Sequence, residues 1–194
     1  MSGLAFTLFD TAIGPCGLVW RGETIVGAAL PGVDASATRS HLDRRFPGAV
    51  EAVPPPRVAS AIALVVRMLA GDPVDVDTIP VDLSAADPFE CRVYEAARAI
   101  PRGEVRTYGE LAAAIGQPGA SRAVGAALGR NPIPIIVPCH RILAASGKSG
   151  GFSAPGGTAT KFSILKIEGA RRSGDSELFE SLPLAVRPAE LAES

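Results

Sequence analysis

The stretch Thr107-Tyr108-Gly109-Glu110-Leu111-Ala112-Ala113-Ala114-Ile115-Gly116, then Gln117-Pro118-Gly119, then Ala120-Ser121-Arg122-Ala123-Val124-Gly125-Ala126-Ala127-Leu128-Gly129, decides the architecture. Thr107 and Glu110 stand three residues apart ahead of an apolar run, the spacing of a capping box, so a short helix starts here and stops at Gly116. Gln117-Pro118-Gly119 turns the chain, and a further helix runs from about Ala120 to Gly129. Two short helices joined by a tight turn read as a helix-turn-helix. The second is built of small residues, with Arg122 as its one long charged side chain near the start. Spacing alone favours close helix packing as the reason for the small residues.

Upstream, Asp87-Pro88-Phe89-Glu90 places an N-cap, a proline at the first helical position and a glutamate at the third, opening a helix to about Ile100. Downstream, Asn131 to Leu143 is an apolar run that Pro132, Pro134 and Pro138 keep from being helical, so it reads as extended. A glycine- and serine-rich loop covers 146–157, and a last helix runs from Thr158 to Glu168, stopped by Gly169. Residues 173–194 are polar and acidic and read as a disordered tail.

The N-terminal part differs in kind. Leu4 to Phe9, a turn at Gly14-Pro15, then Leu18 to Trp20 and Thr24 to Leu30 around Arg21-Gly22-Glu23 form a meander. Asp34 or Ser36 caps a helix through Phe46, and an amphipathic helix follows from Arg57 to Leu69. Asp72 to Asp87 lacks helical period and reads as a short strand plus linker. The fold class is therefore α+β: an N-terminal unit over 1–84, a mainly helical second unit over 85–172, and the tail.

Composition narrows the function. The chain has 194 residues, 47% of them hydrophobic, enough to bury a core. No apolar run approaches the roughly 20 residues that span a bilayer, and no secretory signal opens the chain, so no membrane partner and a cytoplasmic location are expected. Net charge is −1, unevenly spread. Residues 88–172 hold 12 Lys+Arg against 5 Asp+Glu, a balance of +7, whereas the flanking segments carry −4 each. A basic block in an acidic chain suits a polyanion, although such blocks are more often solvated faces.

Cys16, Cys91 and Cys139 are odd in number, widely spaced and without a Cys-x-x-Cys, which argues against a disulfide framework or a zinc site. A cysteine among apolar neighbours is by default a buried, unreactive residue. Cys139 stands apart because His140 and Arg141 follow it, and a nearby base or cation is what yields thiolate. In extended chain, neighbours point to opposite faces, so His140 reaches the sulfur only through a bend or a bridging water.

Pro138-Cys139-His140-Arg141, preceded by Asn131-Pro132 and Ser121-Arg122-Ala123-Val124-Gly125, and followed by Gly150-Gly151-Phe152, Lys161 and Glu168-Gly169, resembles the O6-alkylguanine-DNA alkyltransferase family. The resemblance covers Pro88 to Gly169. It implies a ribonuclease-H-like N-terminal domain, a winged-helix-like second domain, and double-stranded DNA carrying O6-alkylguanine as partner, with O4-alkylthymine as a further lesion. It implies irreversible transfer of the alkyl group to the protein's own cysteine by a monomer, without cofactor or obligate protein partner.

Residue by residue, the resemblance assigns Cys139 as nucleophile, His140 as base acting through water, Glu168 as the carboxylate orienting it, and Tyr108 as proton donor. The target atom lies inside the base stack, so the nucleotide must be flipped out, and Arg122 matches the family's arginine that fills the gap. Ala123 and Gly125 belong to the slim helix suited to the minor groove, and Asn131 matches a hinge asparagine. The carbonyls of Cys139 and Ile142 would accept from the guanine amino group, Ser153 would donate near O6, Phe152 would wall the pocket, and Arg141 would join the DNA-binding set. Phe152 stands where many members have tyrosine, and the zinc ligands of some relatives are missing, so no metal is expected.

Three other readings compete. A non-catalytic lesion-binding protein would lack the acceptor cysteine. A Cys-His-Glu hydrolase would need an oxyanion hole. A transcription regulator would need several polar side chains on its reading helix, where this one offers mainly Arg122.

Overall fold

The computed structural model describes residues 3–145 and 156–170. Three antiparallel strands, β1 (Leu4–Thr11), β2 (Gly14–Arg21) and β3 (Thr24–Ala29), pair Leu4 with Arg21 and Gly17 with Ala29. The second hairpin turns at Gly22-Glu23, where Gly22 takes φ +61°, as the sequence predicts. The first reverses at Ala12-Ile13, earlier than expected, so Gly14-Pro15 already belong to β2. Since β3 pairs with β2 only from Gly17 onward, β2 has one neighbouring strand at Pro15 and a missing N–H is tolerated. A two-residue β4 (Val50–Glu51) runs parallel to β1 and gives the order β3-β2-β1-β4.

Both faces of this sheet are covered. Cys16 and Leu18 of β2 face α2 (Pro56–Leu69), whose buried side chains Val58, Ala61, Val65 and Met68 recur at helical spacing. Val19 faces the other way, into a cluster with Phe6, Ala29 and Leu42, the last on α1 (Ala35–Arg45). Asp34 rather than Ser36 caps α1, its carboxylate accepting from the Ala37 N–H at 2.7 Å.

The strand expected between Asp72 and Asp87 is reduced to one bridge, Val81 beside Ile25. Arginines hold that segment instead: Arg98 donates to the carbonyls of Asp77 and Ile79, and Arg102 to those of Asp72 and Gly71. Both predicted capping boxes are present, Asp87 with Glu90 at the start of α3 (Pro88–Arg98) and Thr107 with Glu110 at the start of α4 (Tyr108–Ala114). Each cap stabilises its helix by about 1 kcal/mol. After the turn at 115–120, α5 (Ser121–Gly129) packs Val124, Ala127 and Leu128 inward and leaves Arg122, Ala123 and Ala126 exposed.

The segment after α5 departs from the extended run that its prolines suggest. The Val137 N–H donates to the Ile133 carbonyl at 2.8 Å, closing a tight turn in which buried Ile135 takes φ +77°. A β-branched residue in the left-handed region is strained. Pro138, at φ −81° and ψ 63°, then centres an inverse γ-turn closed by the Cys139 N–H on the Val137 carbonyl. Cys139–Arg141 form one 3-10 turn, followed by β6 (Ile142–Leu143), which pairs in parallel with β5 (Arg106–Thr107). The last helix, α6 (Gly157–Ile167), ends with Glu168 as its C-cap. One apolar cluster runs from Cys16 and Leu18 through Tyr94 and Val124 to Ile136 and Cys139, so the sheet and the helices share a core. The predicted tail over 173–194, and Phe152 and Ser153 of the glycine-rich loop, lie outside the described residues.

Candidate active site

Cys139 sits at the start of the 3-10 turn, 8% exposed and unpaired with any other cysteine. The turn supplies the bend that an extended chain would lack, since residues in a 3-10 helix project at about 120° to one another. Burial pushes the thiol pKa up; the Asn131 side chain and the Lys161 ammonium pull it down. Asn131 is itself buried: its Nδ2 donates to the Val137 carbonyl and its Oδ1 accepts from the Ile133 N–H, both at 2.9 Å. One amide therefore spans the turn leading to the nucleophile.

His140 is 1% exposed, with Nε2 3.1 Å from Glu168 Oε1. Burial holds its pKa below the ordinary histidine value against the opposing pull of Glu168, so the ring is neutral and ready to accept a proton. Glu168 is pushed up by burial but more than compensated by His140 and Arg141, which bring it to about 2.

Arg141, expected in the DNA-binding set, lies inside the protein at 1% exposure. Its Nε and Nη2 grip Glu168 at 3.0 and 2.8 Å, and Nη1 donates to the Ile100 carbonyl at 2.6 Å. Behind it stands Asp77, 3.6 Å from Nη1, which burial pushes up to about 6. The guanidinium thus faces inward and braces the carboxylate that also holds the imidazole.

Tyr108 opens α4 and packs beneath Gly125, where a Cβ would lie 3.7 Å from the ring. Burial and the nearby sulfur raise its pKa, which keeps its hydroxyl protonated. Over the ring at 5.9 Å stands Lys161 Nζ, fully buried on α6 and donating to the Ile142 carbonyl. Burial brings this amine down to about 8, with Cys139 opposing. A carbonyl has two lone pairs, so the Lys161 contact leaves room on Ile142 for another donor. The Cys139 carbonyl accepts from the Ile142 N–H.

The structure thus brings Cys139, His140, Glu168, Asn131, Ile142 and Tyr108 together, and sets Arg122 and Ala123 apart on the exposed face of α5. Sequence reasoning missed the inward role of Arg141 and the parts of Lys161 and Asp77. A lysine on a helix carries no mark of burial when its partners are a ring 53 residues away and a carbonyl on another strand. Among the described residues no three His, Cys, Asp or Glu side chains converge as metal ligands. Nor is any described helix long and apolar enough to cross a membrane.

Comparison with known proteins gives the family. Residues 88–170 match the 6-O-methylguanine DNA methyltransferase DNA-binding domain. A methylated-DNA–protein-cysteine methyltransferase of Mycobacterium bovis is 38% identical over 175 residues, covering 90% of this chain and 98% of the relative. The O6-methylguanine methyltransferase structure of Mycobacterium tuberculosis superposes with a TM-score of 0.69 at 35% identity, over 89% of this chain and 96% of the other. That of Pyrococcus kodakaraensis gives 0.65 at 28% identity, over 86% and 99%. The fold is an α+β arrangement shared with solved methyltransferases. The chain belongs to the methylated-DNA–protein-cysteine methyltransferase family.

Proposed function

We propose that this protein repairs double-stranded DNA by moving the alkyl group of O6-alkylguanine irreversibly onto Cys139 Sγ. The observation that carries this reading is a buried cysteine, its thiolate favoured by Asn131 and the Lys161 ammonium, next to a neutral, Glu168-oriented imidazole. The Cys139 proton passes through a water to His140, and the resulting imidazolium is stabilised by Glu168. The thiolate attacks the alkyl carbon; a carbon–sulfur bond forms as the carbon–oxygen bond breaks onto O6. Tyr108 donates its proton as this happens, so guanine leaves neutral. The thioether is stable, and the protein acts once.

In this reading the flipped nucleotide enters from the minor groove, Arg122 takes its place in the stack, and the Ala123 and Ala126 face lets the backbone approach the DNA. The second unit, 85–172, is the winged-helix-like, DNA-binding and acceptor domain, and 1–84 a ribonuclease-H-like support. The protein works in the cytoplasm as a monomer, without an obligate protein partner. A DNA-bound structure of Mycobacterium tuberculosis OGT, similar to this chain with a TM-score of 0.67 at 34% identity, supports DNA as the partner. The test is intact-protein mass after incubation with excess duplex containing one O6-methylguanine. One methyl group on Cys139, stopping at one equivalent, is expected; lesion-dependent binding without mass gain would replace this reading with a lesion-recognition protein.

A further inference from the structure

Three consecutive carbonyls after α5 are all taken up by the N-terminal unit. Arg45 Nη2, from the last turn of α1, donates to the carbonyls of Arg130 and Asn131, each at 3.1 Å. The Ala28 N–H of β3 donates to the Pro132 carbonyl at 2.9 Å. We propose that Arg45 is a positioning residue for alkyl transfer: by gripping the backbone at Arg130 and Asn131 it sets the Asn131 side chain that supports the Cys139 turn. The inference rests on the transfer reading above and gives the N-terminal unit a defined part in it.

The argument is geometric. The last carbonyls of a helix have no partner within it, and a cation placed there is favoured by the helix dipole. Arg45 meets that need at the C-cap of α5, the helix that carries Arg122. The opposite side of Asn131 is committed as well: its amide spans Ile133 to Val137, two residues before Cys139. Arg45 is thus joined through Asn131 to the turn that leads into the nucleophile, and its charge is felt there, since Cys139 is among the groups that raise the Arg45 pKa against burial. The strained Ile135 turn lies between these anchors, so slack at Asn131 passes to Cys139 rather than being absorbed. One nitrogen, Nη2, donates to both carbonyls, so two successive peptides are held by a single cationic group.

The experiment uses the full chain. Single-turnover methyl transfer from O6-methylguanine duplex, equilibrium affinity for the same duplex without the lesion, and the rate of Cys139 labelling by iodoacetamide are measured for wild type, Arg45→Ala, Arg45→Lys, Asn131→Ala and the Arg45→Ala/Asn131→Ala double variant. Arg45→Ala should slow both transfer and labelling about tenfold while affinity stays within about twofold, and Arg45→Lys should recover most of both rates. The double variant should be no slower than Asn131→Ala alone, the signature of one shared route. Wild-type rates in Arg45→Ala, losses that multiply in the double variant, or a fall in affinity matching the fall in rate would overturn the proposal, the last making Arg45 a phosphate contact. Labelling needs no DNA, so failure of the transfer reading shows separately, as wild type that labels but gains no methyl group.

Discussion

Glu168 Oε1 lies 2.8 Å from Arg141 Nη2 and 3.1 Å from His140 Nε2, so one carboxylate oxygen serves a permanent cation and a switchable one. With Arg141 in place, Glu168 stays ionised while the imidazole is neutral, and the imidazolium that forms when Cys139 loses its proton meets a charge already present. The base is therefore prepared before substrate arrives.

Glu168→Gln should destabilise the protein at neutral pH by on the order of 3 kcal/mol, because it leaves Arg141 buried without its anion. The carboxylate is depressed from 4.5 to about 2, so its contribution is complete above pH 4.5 and lost as pH falls toward 2. Denaturant unfolding of wild type and variant should converge over that window; a gap that is independent of pH would remove Glu168 from the ionised network.

Arg141→Met should cost about 3–5 kcal/mol in denaturant unfolding, since Glu168 and the Ile100 carbonyl both lose their partner. Its affinity for undamaged duplex should stay within twofold at fixed salt. A weaker salt dependence of binding would instead return Arg141 to the DNA surface.

Arg122→Ala, on an exposed face, should change stability by less than about 0.5 kcal/mol. It should slow transfer from duplex far more than transfer from free O6-alkylguanine. Equal losses on both substrates would count against a role in flipping.

Lys161→Met keeps the length of a buried side chain and removes the cation beside the sulfur. The acid limb of Cys139 labelling by iodoacetamide should move to higher pH, with labelling at pH 7 about tenfold slower. An unmoved limb would show that Asn131 alone supports the thiolate.

What the sequence made legible was local. The boxes Asp87/Glu90 and Thr107/Glu110 announce helix starts because each is complete within four residues. The ordered set from Ser121 through Pro138-Cys139-His140-Arg141 to Glu168-Gly169 carried the family resemblance. The shape around Cys139 was hidden: Pro138 forbids helix but does not say that an inverse γ-turn and a 3-10 turn follow, since these depend on Asn131 bridging Ile133 and Val137. Nothing local in the sequence gives the contacts of Arg45 and Lys161, because their carbonyl partners lie 85 and 19 residues away.

Ile135 holds a backbone conformation that its own side chain disfavours, a penalty of about 1–3 kcal/mol. Left to itself that peptide would relax, carrying the next four residues with it. The geometry of the reactive sulfur is therefore on loan from distant parts of the chain. Repair competence should vanish on mild heating before the sheet or the helices melt, and the α1 end is a second place, far from the cysteine, at which the protein can be weakened.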